Sequence, residues 1–464
     1  MGSVEGIADA ARVRQDFSHS APSKKNQNVA EIILFVAVFA IFAIFGLHGM
    51  TDAKYSMLVS ENLLHNHTFV MDERSMPRLE PFARPGYKGN GYPYQIEVSH
   101  GKVLYVYPVG TSILSLPFVI VMNIVGVSAR TPDGRYNEAG EQAIEGTLAA
   151  LLMAILTVVF LRTALVLLPL SWSIVLALGA AFGTQIWSTA SKVLWSHTWQ
   201  LLLLGVVIYL ILAEEEGQSR GRPILMATLL SWAYFVRPTS SVPIMAITAW
   251  VLIFRPKEFA ALAITGAAWL SVFVVYSWKL WGRPLPNYYL FHLSSRHILI
   301  AIAGNLISPS RGLFIYVPSS FFVLWLVAYY WRELSHRRLA VLSLGVIAAH
   351  TFIVSGDPNW WGGHCYGARL TIDVIPWLFL LAVLGCKCLL NEPSSRRKHF
   401  ALGIGLLTLL VGSAINGRGA ISPSANDWVN GPPEDVDRKP ARVWDWSHPQ
   451  FLSELQSEAR NPAS

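Results

Sequence analysis

The chain has 464 residues, of which 53% are hydrophobic and 14% charged, with a mean hydropathy of +0.41. A water-soluble chain of this length carries closer to a quarter of its residues as Asp, Glu, Lys and Arg, so a soluble multidomain enzyme is excluded. The net charge of +7 would raise the question of nucleic acid in a soluble protein; here it belongs to loops beside apolar runs, where basic residues set orientation, and nucleic acid is excluded as a partner.

Residues 1–29 form a polar N-terminal tail containing Arg12, Arg14, Lys24 and Lys25. The apolar run 30–50 is too long for a signal-peptide core and lacks a small-residue cleavage site, so it reads as a retained span. Residues 51–142 then make one outer loop, too long for a mere connector. Within it, TDAKYSMLVSENLL places Asp52 just past the first span and predicts an amphipathic helix over 53–65, with Met57, Leu58, Leu63 and Leu64 on its apolar side. The stretch 103–128 is apolar enough to span, but Pro108, Gly110 and Pro117 interrupt it, and counting it would invert every later loop. It is therefore read as helices lying at the outer interface.

Ten further runs predict spans at 143–163, 170–187, 198–213, 222–237, 239–254, 258–280, 312–331, 338–355, 371–391 and 399–416. The chain is thus an all-α polytopic membrane protein of about eleven spanning helices, with a transmembrane domain over 30–416. Pro238 breaks the apolar stretch between 222–237 and 239–254. Placing the N-terminus inside puts sixteen of the 36 Lys and Arg on the inner side and seven in the short outer loops. That bias favours N-in and C-out. The polar tail 417–464 is then outside, where Trp444, Trp446 and Phe451 predict that part of it docks on the outer loops.

The inner loops are short and basic, as in Arg332-Glu333-Leu334-Ser335-His336-Arg337-Arg338, and leave no inner domain for a soluble nucleotide sugar. The candidate chemistry lies on the outer side. Asp52, at a membrane boundary near a helix N-terminus, suits a base or a metal ligand; the plain alternative is an N-cap. Lys192, His197, Arg311, His364 and Arg369 sit at outer span ends beside Trp and Tyr. Such a set suits a lipid phosphate and a sugar ring, since arginine pairs with phosphate oxygens and aromatic faces stack on pyranose. Taken singly, each reads as an interfacial side chain; it is the set together that points to a binding site. Arg84 joins this substrate-binding set from the first loop, where Tyr92, Tyr94, Glu97, His100, Tyr105 and Tyr107 carry no spacing that assigns a role. Asp72-Glu73 is a metal pair or a solvated turn, and Asn66-His67-Thr68 fits a short glycosylation sequon. Cys365, Cys386 and Cys388 give neither a disulfide framework nor a metal spacing. No GxxxxGK[ST], HExxH or GxSxG motif occurs.

Asp52 in TDAKYSMLVSENLL after the first helix, Tyr107-Pro108-Val109-Gly110 and the run through Leu116-Pro117-Phe118 together resemble the GT-C glycosyltransferases, polytopic enzymes that use polyprenyl-phosphate sugars. Leu194-Trp195-Ser196-His197-Thr198, Ser308-Pro309-Ser310-Arg311-Gly312-Leu313-Phe314, and Trp360-Trp361-Gly362-Gly363 with Tyr366-Gly367-Ala368-Arg369 are similar to blocks of bacterial members of that superfamily. Trp444-Asp445-Trp446 with Pro449-Gln450-Phe451 resembles their tail. The resemblance implies inverting sugar transfer on the outer face of a bacterial inner (plasma) membrane. It implies a polyprenyl-phosphate sugar as donor, a lipid, glycan or protein as acceptor, and contact with membrane lipids. It places Asp52 as the base on the acceptor hydroxyl or as ligand of a divalent ion, Mg or Mn. A second acid is open among Glu61, Asp72 and Glu73, so the metal ligands stay unknown. Two readings from other classes compete. A lipid-linked glycan flippase or transporter predicts charge near mid-span and matching broken helices, which these runs lack. A noncatalytic envelope-assembly subunit is the other.

Overall fold

The computed structural model describes residues 24–44, 52–75, 91–290, 293–294, 297–431 and 434–453. In chain order these form α1 (Lys24–Ile44), α2 (Ser56–Asn66), the strands β1 (Ile96–Ser99) and β2 (Lys102–Tyr105), and α3 (Gly110–Ile124). There follow α4 (Glu138–Leu165), α5 (Leu170–Phe182), α6 (Ser196–Glu215), α7 (Pro223–Val236), α8 (Ser241–Phe254) and α9 (Pro256–Trp281). The rest are α10 (Ile298–Ile307), α11 (Leu313–Tyr316), α12 (Ser319–Tyr329), α13 (Arg337–Ser355), α14 (Ile375–Asn391), α15 (Arg396–Ile421) and α16 (Pro423–Asp427).

Among the described residues, seven helices are long and apolar enough to cross a membrane: α1, α4, α6, α9, α13, the run Arg369–Asn391 that ends in α14, and α15. The chain is an integral membrane protein. These seven fall on predicted spans. The other four predicted spans are helical but shorter, at 13 residues in α5, 14 in α7, 14 in α8 and 11 in α12. Local chemistry cuts them. Arg237-Pro238 separates α7 from α8, and Pro318 separates α11 from α12, because proline lacks the N–H that would continue a helical ladder. α1 begins at Lys24 and α15 runs on to Ile421, each a few residues beyond the run read from hydropathy.

The bundle is built around α4 and α14. α4 packs on α1, α5 and α6. In α14 every residue from Ile375 to Cys386 is buried, as expected of a helix apolar on all sides. The stretch 103–128 differs from its reading as helices alone. Val103–Tyr105 belong to β2, paired antiparallel with β1, and only then does α3 begin. Gly110 starts α3 directly against the end of α7, where a Cβ would lie 2.5 Å from the Phe235 carbonyl carbon. No larger residue fits there.

The helix expected over 53–65 is α2, and it is not a surface helix. Ser56 through Asn62 are all buried, polar residues included. Its polar side chains are answered from neighbouring elements. Ser60 donates to the Ser112 carbonyl at 2.8 Å, and Asn62 donates to the Thr68 and Val70 carbonyls at 2.9 and 2.6 Å. Glu61 accepts from the Ser128 hydroxyl at 2.9 Å and the Ala129 amide at 2.7 Å.

The start of α2 is held by α4. Glu141 accepts from the Tyr55, Met57 and Leu58 amides at 2.8, 2.7 and 3.2 Å, and from the Tyr136 hydroxyl at 2.5 Å. One carboxylate thereby satisfies amides that a helix N-terminus leaves open. Tyr55 itself sits at φ 74, in the left-handed region that a bulky residue enters only when its surroundings enforce it. The turn carrying Asp52 is therefore fixed from beneath by α4.

Glu141→Ala would strand these buried amides, each at a cost of about 1–3 kcal/mol. A loss of about 3 kcal/mol or more in unfolding stability is expected in detergent, against about 0.5 kcal/mol or less for Thr131→Ala on an exposed turn. Similar losses from both would show that Glu141 does not hold the turn.

Candidate functional site

Asp52 emerges from the Glu141-anchored turn into a pocket of about 340 Å³. Its walls are Asp52, Ala53, Ser56, Tyr105, Tyr107, Pro108, Thr111, Leu194, Trp195, Ser196, Tyr288 and Arg369. Five segments supply them: the turn before α2 with its first residue, the β2–α3 connection, the start of α6, the α9–α10 connection carrying Tyr288, and the loop before α14. Arg369 is delivered by the WWGGHCYGAR loop. Gly367 in that loop has φ 62, and a Cβ there would drive into the Tyr316 ring.

Asp52 Oδ2 is ion-paired with Arg369 Nη2. Tyr107 Oη donates to Asp52 Oδ1 at 2.9 Å, and Tyr94 Oη reaches the same oxygen at 3.4 Å. The Tyr105 hydroxyl donates to the Asp52 main-chain carbonyl at 2.8 Å. The guanidinium of Arg369 stacks on Trp195, 3.8 Å from the ring centroid. Burial pushes the Asp52 carboxyl up, but the Arg369 charge and the hydrogen bonds from Arg369, Tyr107 and Tyr94 outweigh it, holding Asp52 below the ordinary aspartate value of 3.8. Burial, with Asp52 alongside, pushes the Tyr107 phenol well above its usual 10.0, so it remains a donor. The result is an ionised carboxylate in an aromatic pocket, one face bound by a cation that itself lies on an indole.

Asp52 is not a helix cap. The first amides of α2 go to Glu141, and the residue at the cap position is Tyr55, whose side chain makes no capping bond.

A second charged layer lies behind the pocket wall. Asp373 accepts from Arg237 Nε at 2.7 Å and Thr239 Oγ1 at 3.2 Å, and contacts His197 Nδ1 at 2.6 Å. His350 Nε2 lies 3.6 Å from Asp373 and 3.0 Å from the Leu370 carbonyl. Arg237 also donates to Ser196 Oγ at 3.0 Å, and Ser196 lines the pocket. The layer ties α6, α7, α13 and the start of α14 together just where Arg369 enters.

Of the residues singled out from sequence, Asp52 and Arg369 meet in the pocket and His197 backs it. Lys192 is buried in the turn leading to α6, where burial lowers its pKa to about 8, but it is not a wall residue. Arg311 stands elsewhere. Its guanidinium donates to the Trp361, Ser310 and Gly363 carbonyls at 2.6, 2.6 and 3.1 Å and to Gln450 Oε1 at 2.7 Å. His364 pairs with Asp435 of the tail at 2.9 Å. Arg84 lies outside the described residues. Glu61 is engaged at the 128–129 turn, while Asp72 and Glu73 are exposed; none of the three lines the pocket. Among the described residues Asp52 is the one carboxylate in the pocket wall, with no His or Cys beside it. That donor set does not fit a divalent ion.

Trp195, Tyr288, Asp373 and Arg237 were not singled out from sequence as site residues. For Asp373 a signal existed in TIDVIPWL, a lone carboxylate at the edge of an apolar run. For Tyr288 none did. Part of the tail docks as expected. Trp444 packs on the cluster of Trp428, Val429, Val436 and Val443, and Phe451 meets Tyr316 edge-on, whereas Trp446 is exposed.

No protein-family model and no curated protein matches the sequence. Among solved structures, the chain is similar to ArnT from Cupriavidus metallidurans bound to undecaprenyl phosphate, with 11% identity and a TM-score of 0.45 over 91% of this chain and 75% of that one. It is similar to the same protein in the apo state, with 12% identity and a TM-score of 0.42 over 92% and 75%.

The Asp52–Arg369 pair has a defined pH signature. Because the folded pKa of Asp52 is depressed, its contribution to stability is present above the unfolded value and is lost as pH falls through the folded one. In Arg369→Gln, only the tyrosine hydrogen bonds still oppose burial, and the Asp52 pKa rises. Partial exposure of Asp52 moderates the usual cost of breaking a buried pair, so a deficit of about 2 kcal/mol is expected at pH 7. Melting temperatures should show that deficit shrinking as pH falls towards 3.8. A deficit independent of pH would show that the two side chains are not electrostatically coupled.

Proposed function

We propose that the chain transfers a sugar from a polyprenyl-phosphate-linked donor to a lipid, glycan or protein hydroxyl on the outer face of a bacterial inner membrane, with inversion at the anomeric carbon. The observation that carries this reading is the ionised Asp52 paired with Arg369 inside an aromatic pocket at one end of an apolar helix bundle. N-in orientation, favoured by the Lys and Arg count, puts that pocket outside. Eleven spans, four of them completed by short helices, are part of the same proposal.

The chemistry needs a base, a cation for the leaving phosphate, and exclusion of water. Asp52 takes the proton of the acceptor hydroxyl. The acceptor oxygen forms the new bond to the anomeric carbon as the old carbon–oxygen bond breaks, and that electron pair leaves on the lipid phosphate beside Arg369. Trp195, Tyr105, Tyr107 and Tyr288 give the sugar apolar faces and hydroxyl partners and keep the site dry.

In-line displacement places the attacking and leaving oxygens on opposite sides of the anomeric carbon, with the attacking atom about 3–3.5 Å away. Base and phosphate-binding cation cannot then remain in direct contact. The donor phosphate takes over Arg369, and Asp52 is released to serve as base. Losing the cation also moves the Asp52 pKa upward, towards the range where a carboxylate is an effective base. In the pair, the carboxylate stands where the proposed phosphate would meet Arg369, and the guanidinium stands where the acceptor hydroxyl would meet Asp52.

The transporter reading calls for charge near mid-span. The buried groups here lie near helix ends: His197 is the second residue of α6, Arg237 follows α7, and Asp373 precedes α14.

Reconstitution with radiolabelled polyprenyl-phosphate sugars tests the proposal. Asp52→Asn removes the basicity, and turnover is expected to fall about a hundredfold or more while donor binding persists. Near-normal turnover would remove Asp52 as the base. Absence of transfer by the wild-type protein across donors and acceptors would sink glycosyl transfer itself.

A further inference from the structure

His364, Asp435 and Asp437 converge away from the pocket, where the WWGGHCYGAR loop meets the tail. One ligand atom from each lies within 4.8 Å of the others. His364 Nε2 is 2.9 Å from Asp435 Oδ2 and 3.6 Å from Asp437 Oδ2. The other oxygen of each carboxylate is already committed. Asp437 Oδ1 accepts from Trp361 Nε1 at 2.8 Å, and Asp435 Oδ1 accepts from the Asp437 amide at 2.8 Å. These bonds orient the two Oδ2 atoms toward the same imidazole nitrogen. That nitrogen is shielded from solvent and makes no well-aligned hydrogen bond. A neutral imidazole has one N–H to give, so it cannot answer two carboxylates. A cation among the three would answer both.

We propose that this cluster binds one divalent transition-metal ion, Zn2+ or Mn2+, which clasps the tail to the arginine loop. One imidazole nitrogen with two carboxylate oxygens is a donor set for borderline first-row ions, whereas Ca2+ and Mg2+ favour oxygen alone. Trp361 acts as the outer partner that fixes Asp437, as outer hydrogen bonds commonly do at metal sites. The ligands come from segments some seventy residues apart, so the ion crosslinks 360–369 to 435–437. Cys365, next to His364, packs with Ala53 and Trp195 of the pocket wall. The clasp therefore stiffens the loop that delivers Arg369 without entering the pocket, and it stands independently of the proposed transfer.

The test uses the full-length protein in detergent, stripped with chelator and titrated with ZnCl2 or MnCl2. The wild type should bind one ion that the Asp435→Asn, Asp437→Asn double variant binds at least about tenfold more weakly, the scale already seen on losing an outer partner. Both asparagines preserve shape and the outer-oxygen bonds, so the variant folds without the ion. Saturating metal should raise the melting temperature and slow protease cleavage of the tail in the wild type alone. Equal affinity in the two proteins, no binding by either, or an equal thermal shift in both would overturn the clasp.

Discussion

The Asp52–Arg369 ion pair joins residues 317 positions apart in the chain, and most of the polar architecture serves to bring them together. Neither end could be placed by its own segment. Asp52 opens a turn whose last residue, Tyr55, has positive φ, so Glu141 on α4 must grip the amides of α2 to hold it. Arg369 stands on a glycine-bent loop, and two anchors position it. Behind it, Asp373 collects Arg237 and His197; beneath it, Trp195 offers an indole face. A charged pair taken out of water costs several kcal/mol of desolvation per ion, and that cost is recovered only with good geometry and further hydrogen bonds. The tyrosines around Asp52 supply those bonds.

The loop cations divide by how fully the protein already uses them. Arg311 spends its donors on three carbonyls and Gln450, and Gln450 in turn accepts from the Gly367 amide at 3.1 Å and donates to the Cys365 and Ala425 carbonyls at 3.1 and 3.0 Å. Both side chains are buried, so this is a lock between the tail and the arginine loop. A buried arginine with four of its five N–H donors committed offers a phosphate no open face. Arg369 differs because its partner is a single carboxylate facing a pocket, and an incoming anion can replace it. Position at a span end could not separate the two cases; hydrogen-bond saturation does.

What the sequence made legible follows from the range of the forces involved. Hydropathy is local and additive, so the seven long apolar helices among the described residues stand out as runs. The short helices α5, α7, α8 and α12 gave the same signal as full spans, because a proline such as Pro238 or Pro318 shortens a helix without lowering the apolarity of the run. Asp52 could be placed past the first helix by motif, and Arg369 by its aromatic surroundings. Their contact could not, since it depends on how α2 and α14 sit on α4. Glu141 fell at the end of the long loop 51–142 with nothing to mark it, whereas its carboxylate holds the first amides of a helix some eighty residues away. In α2 the apolar positions were recognisable, but the burial of Ser60, Glu61 and Asn62 required knowing which carbonyls and amides would answer them.

The buried carboxylates show why the proposed chemistry falls to Asp52 rather than to its neighbours. Glu141 is held by main-chain amides and Tyr136, groups that cannot leave without unravelling α2. Glu145 accepts from Ser56 at 2.9 Å and lies behind the pocket wall. Glu61 serves the turn at 128–129. Asp373 has a guanidinium, a histidine and a threonine around it, all from helices that would have to separate to expose it. Each of these charges has a partner that belongs to the fold. Asp52 alone among them lines the pocket, and its strongest partner is a side chain on a loop. A general base must be ionised before the substrate arrives and able to exchange its partner for the substrate proton when it does. The arrangement around Asp52 meets both conditions, since Arg369 keeps it ionised at rest and can itself be claimed by a phosphate.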